Sequence, residues 1–68
     1  MQKYIVANVR EGTFLLFARS PLSARPTFYW ERDRQTASMF THEEARAACA
    51  LVAFINGSVS NLSIEEAE

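Results

Sequence analysis

The chain has 68 residues, 49% of them apolar and 22% charged, with 2 Gly, 2 Pro, 1 Cys and a formal net charge of −1. That composition excludes wholesale disorder, a collagen-like chain and a disulfide scaffold, and it leaves one small globular domain. One Cys and one His fall short of the four ligands zinc usually takes, so neither a metal nor a cofactor is expected.

From Tyr4 to Val9 the chain alternates, with Tyr4 and Val6 on one side and Ile5, Ala7 and Val9 on the other, which is the period of a strand. Arg10-Glu11-Gly12-Thr13 supplies a turn with glycine where a positive φ costs little. Thr13 to Arg19 reads as a second strand, forming an antiparallel hairpin with the first. Both its faces carry large apolar groups, Phe14 and Leu16 against Leu15 and Phe17, so it belongs in the middle of a sheet. The two prolines of residues 20–26 deny backbone donors and mark a loop. Thr27 to Glu31 is the third strand, with Phe28 and Trp30 on one face and Tyr29 on the other; a short polar connector, Arg32 to Ser38, follows.

The helix signal is the strongest in the chain. Thr41-His42-Glu43-Glu44 fits a capping box, and its two carboxylates suit the positive end of a helix dipole. Asn56-Gly57 is the stop, so the helix is predicted over about residues 42–56. Val59, Leu62 and Ile64 then permit a short strand, a helical turn or a docked tail, and Glu65, Glu66 and Glu68 form an acidic terminus. The expected fold class is α+β: a three-stranded antiparallel sheet in the order β-β-β-α, with a possible short C-terminal strand and one helix packed on one face. Residues 1–64 form the domain and 65–68 the acidic tail.

Placed at 100° per residue, the helix has two apolar sectors, Ala45, Ala48, Cys49, Leu51, Val52 and Ile55 on one side and Ala47, Ala50 and Phe54 on the other. One sheet covers one side. Either Phe54 tucks under a tail capped by Leu62 or Ile64, or Ala47, Ala50 and Phe54 form an interface, with Phe54 the anchor of a two-fold homodimer or of a partner's groove. The second reading also supplies stabilisation that a core this small lacks. Cys49, flanked by Ala48 and Ala50, reads as a buried thiol of a reducing compartment, which places the chain in the cytoplasm. No secretory signal pattern opens the sequence. The longest apolar run, Ala47 to Ile55, is far short of the roughly 18 residues that span a bilayer, so no membrane association is expected.

Charge is lopsided. Residues 1–36 hold six basic and three acidic side chains, 6 − 3 = +3, and residues 37–68 hold one and five, 1 − 5 = −4. Arg19, Arg25, Arg32 and Arg34 surround the third strand with its Tyr29 and Trp30, and these six residues are the candidate partner-binding surface. Arginines interleaved with strand aromatics also serve single-stranded nucleic-acid binders, which is the alternative. Catalytic readings find little support. His42 lies in a first helical turn, Glu43 and Glu44 point about 100° apart, and the two glycines are too far apart to cradle a phosphate.

The stretch Trp30…Ala37…Phe40-Thr41-His42-Glu43-Glu44-Ala45 resembles a W-x6-A-x2-F-[ST]-x-E-E-A segment of short bacterial and bacteriophage proteins of ββ(β)α design. In size and mild acidity the chain also resembles phage-encoded accessory proteins that disable host machinery, anti-CRISPR proteins among them. The resemblance implies protein binding and carries no functional residue with it. The expected function is therefore a non-enzymatic binding protein of bacterial or phage origin that self-associates and holds a protein partner, as an inhibitor or adaptor would.

Overall fold

Tyr4–Asn8 (β1), Thr13–Arg19 (β2) and Thr27–Glu31 (β3) are the three strands that the alternation predicts, His42–Asn56 is the helix (α1), and Leu62–Glu66 is a fourth strand (β4). The computed structural model describes residues 2–56 and 61–67. Gly57, expected to stop the helix, and Val59 and Glu68 of the expected tail lie outside the described residues. The strands make one antiparallel sheet in the order β3-β2-β1-β4, with α1 on one face. β2 is interior, as its two apolar faces require, and β4 makes β1 interior too.

The hairpin turn is built by Asn8 and Gly12. The Asn8 side-chain oxygen accepts from the amides of Arg10 and Glu11, both at 3.1 Å, and its carbonyl accepts from the Gly12 amide at 2.9 Å. Gly12 sits at φ +69°, in the left-handed region where an added Cβ is unfavourable. β1 and β2 pair only at Ala7 with Phe14 and Asn8 with Thr13, and then diverge.

The connector fills that split. The Ser38 amide donates to the Leu15 carbonyl (3.1 Å), and the Ser38 hydroxyl accepts from the Phe17 amide (2.6 Å). On the other side Phe40 exchanges hydrogen bonds with Tyr4, at 2.7 and 2.8 Å. Residues 38–40 thus satisfy the groups β1 and β2 would otherwise present to each other, which a buried backbone requires. Upstream, a 3-10 turn at Arg34–Thr36 is capped by the Asp33 side chain. Arg34 reaches Glu65 of β4, which pairs with Ile5, so the connector starts on the sheet face opposite α1 and passes through the split to reach the helix.

The main core is Val6, Leu15, Phe40, Ala45, Ala48 and Val52, with Tyr4, Phe17, Phe28, Trp30, Cys49, Leu62 and Ile64 packed around it. Ile5, Ala7 and Ala37 are also buried, but outside that cluster. The helix therefore covers the face bearing Val6, Leu15, Phe28 and Trp30. It lies over β1 and β4 rather than over the whole sheet, since a helix about 10 Å wide spans roughly two strands at 4.8 Å each.

The capping box forms as expected. The Thr41 hydroxyl accepts from the Glu44 amide (3.1 Å), and the Glu44 carboxylate accepts from the Thr41 amide (2.9 Å). Two expectations are corrected. Ile55, assigned to the core side of the helix, is 57% exposed. A 15-residue helix is about 22 Å long, whereas the five-residue strands beneath it reach about 17 Å, so the last turn overhangs. Glu65 and Glu66, assigned to the 65–68 tail, are strand residues paired with Ile5 and Tyr4. Ile64 opposite Val6 gives this strand an apolar anchor, and the pairing continues past it to an Ala67 amide bonded to the Lys3 carbonyl (2.9 Å).

Candidate functional site

Among the described residues, two exposed surfaces are built from residues the sequence singles out. The first is the back and overhanging end of α1. Ala47 is half-buried, Ala50 is exposed, and Phe54 is 87% exposed. Two residues beyond Val52, Phe54 points about 200° around the axis and so away from the sheet. Leu62 and Ile64 do not cap it, because both pack into the main core from β4. Burying a phenylalanine stabilises a protein by about 1.5–3 kcal/mol, which Phe54 forgoes here. Ile55, missed by the sequence reading as a surface residue, extends the same patch.

The second surface surrounds β3. Arg19 pairs opposite Thr27 at one end, Arg25 precedes the strand and Arg32 follows it, and all three are exposed. Tyr29 is 54% exposed. Trp30 is half-buried, its ring 6.4 Å from Phe28 in an edge arrangement, and it lies on the helix side while Tyr29 lies on the other. The two aromatics therefore do not form one platform. Arg34 is separated from the group: its guanidinium meets the Glu65 carboxylate at 2.8 Å and the Glu66 carbonyl at 3.0 Å, on the β4 side. Among the described residues that is the one ion pair, so Arg19, Arg25 and Arg32 keep their charges uncompensated.

His42 and Glu44 have structural partners. His42 stands edge-on to Tyr4, with centroids 5.1 Å apart, and Glu44 is engaged in the cap. Cys49 is half-buried, and burial pushes its thiol pKa up, away from the thiolate that nucleophilic chemistry uses. Among the described residues no three His, Cys, Asp or Glu side chains are grouped so as to hold a metal ion, and no helix is long and apolar enough to cross a membrane.

Comparison with protein-family models, with curated proteins and with solved structures finds no match, so these two surfaces are read from their own geometry.

Proposed function

We propose that this chain is a non-enzymatic binding protein that self-associates and holds a protein partner, an accessory protein of inhibitor or adaptor type and of bacterial or phage origin. The observation that carries this reading is Phe54, a large aromatic 87% exposed beside Ala50 and Ile55. Exposed aromatic anchors of this kind are the residues that dominate binding energy at protein interfaces. Phe54→Glu leaves the core untouched and is the direct test. Proteins captured by the parent chain and lost with Phe54→Glu, at unchanged circular dichroism, support the reading. Identical capture by both chains counts against Phe54 as the anchor.

A second reading, binding of single-stranded nucleic acid, is favoured by the uncompensated Arg19, Arg25 and Arg32 around an exposed Tyr29. It requires affinity that falls steeply with salt, by a log–log slope of about −0.7 per phosphate contacted. Absence of binding to DNA or RNA at low salt eliminates it.

A further inference from the structure

The sheet has two edges, and they are finished differently. Along β4, Val9 donates to the Asn61 carbonyl and Ala67 to the Lys3 carbonyl, so odd-numbered residues face β1 and the groups of Leu62, Ile64 and Glu66 face out. Arg34 covers the end of that edge by donating to the Glu66 carbonyl, with Glu65 holding it in place. On β2, the carbonyl of Leu15 and the amide of Phe17 turn toward the split and bond Ser38. Alternation then turns Phe14 and Leu16 toward Glu31 and Tyr29 of β3. The amides and carbonyls of Phe28 and Trp30 are left on the outer edge, and among the described residues no backbone or side-chain group bonds them there.

We propose that β3 is the self-association site, adding antiparallel to β3 of a second copy across a two-fold axis through Tyr29 and extending the sheet to eight strands. The proposal rests on the self-association in the reading above, but places it at this edge and leaves the helix back around Phe54 to the protein partner. The sequence of the edge is self-complementary in this register. Phe28 stands opposite Trp30 of the second copy as a hydrogen-bonded pair, and the two-fold repeats that pair, so four backbone bonds form. Tyr29 faces Tyr29, and Thr27 faces Glu31, so no like charges are opposed. This register pairs all five strand residues, Thr27–Glu31, of each copy.

Neighbouring registers do worse. A shift of two residues one way sets Trp30 opposite Pro26, which has no amide donor, and a shift the other way leaves only Tyr29, Trp30 and Glu31 of each strand paired. Space permits the pairing, because α1 rides over β1 and β4, on the far side of the sheet from β3.

Sedimentation of the full chain, its Tyr29→Lys variant and its Phe54→Glu variant tests the proposal. Tyr29 is 54% exposed, so lysine there leaves the core intact while opposing two ammonium groups on the axis. The expected result is a parent chain with twice the monomer mass, dimerisation weakened roughly tenfold or more by Tyr29→Lys, and no effect of Phe54→Glu. A dimer lost with Phe54→Glu and kept with Tyr29→Lys overturns the edge pairing and leaves self-association through the helix standing. A parent chain monomeric at every concentration overturns both. Covalent trapping makes the result independent of how Tyr29→Lys folds. In a Cys49→Ser background, Tyr29→Cys places two thiols at a non-hydrogen-bonded antiparallel pair, where Cα atoms about 4.5 Å apart suit a disulfide. Oxidation is expected to give a covalent dimer with Tyr29→Cys and not with Phe54→Cys; the reverse pattern refutes the proposal.

Discussion

Ser38 holds the split between β1 and β2 together with one hydroxyl, and removing it isolates that contribution. In Ser38→Ala the Ser38 amide still donates to Leu15, but the Phe17 amide loses the oxygen it meets at 2.6 Å. A hydrogen bond of this type contributes about 0.5–1.5 kcal/mol net, and an amide left without a partner in a poorly hydrated place costs about 1–3 kcal/mol. Both Ser38 and Phe17 are half-buried, so water replaces the hydroxyl only in part, and the expected loss is about 1–2 kcal/mol. Ser23→Ala is the control. Its hydroxyl donates to the Ser20 carbonyl at an equally short 2.6 Å, but in an exposed loop where water takes over, so its effect is expected within about 0.5 kcal/mol. Urea unfolding followed by the fluorescence of Trp30, the single tryptophan, measures both. With a urea slope of about 1 kcal/mol per M for a domain this small, Ser38→Ala is expected to lower the midpoint by about 1–2 M. All chains are compared at one concentration, because self-association shifts apparent stability. A Ser38→Ala midpoint indistinguishable from that of Ser23→Ala refutes the claim that the hydroxyl substitutes for a strand neighbour.

Three further outcomes follow from the structure. Thr41→Ala and Glu44→Ala are each expected to cost about 0.5–2 kcal/mol, with a coupling of about 0.5 kcal/mol or more in a double-mutant cycle, because the two side chains cap each other's amides; additive effects would contradict the reciprocal cap. Gly12→Ala is expected to cost about 1–2 kcal/mol by denaturant unfolding from backbone conformation alone, since a Cβ there meets nothing within 4 Å, and Gly12→Asn is expected to cost less. Cys49, whose thiol is pushed up by burial, keeps its proton in the folded chain after the unfolded chain has lost it. It therefore contributes no pH dependence below the ordinary thiol range, and stability falls as pH rises through that range toward the folded value. Urea midpoints of the parent chain taken across that range are expected to fall, and Cys49→Ser is expected to remove that part of the slope.

Local signals account for the elements and their faces. Alternation set Val6 apart from Ile5 within Tyr4–Asn8 and Phe28 apart from Tyr29 within Thr27–Glu31, and the capping box at Thr41 and Glu44 set where the helix begins. These features depend on spacing within a few residues, which is written directly in the chain. The candidate surface was legible to a lesser degree. Phe54 could be named from the helical wheel, but whether Leu62 and Ile64 would cover it depended on where β4 docked. Arg34 could be grouped with Arg19, Arg25 and Arg32 by sequence proximity, yet it crosses the back of the sheet to Glu65, 31 residues further along.

The sequence by itself determined which residues form strands and helix, which residues share a side of each, and where the helix is capped, because backbone geometry converts residue spacing into a face. Only the tertiary structure decided that β4 lies beside β1, that residues 38–40 wedge open the neighbouring pair, and that Arg34 covers the Glu66 end of one sheet edge while β3 leaves the other bare. Those choices join groups far apart in the chain, and they follow from which unpaired backbone and apolar surfaces fit together once the elements exist.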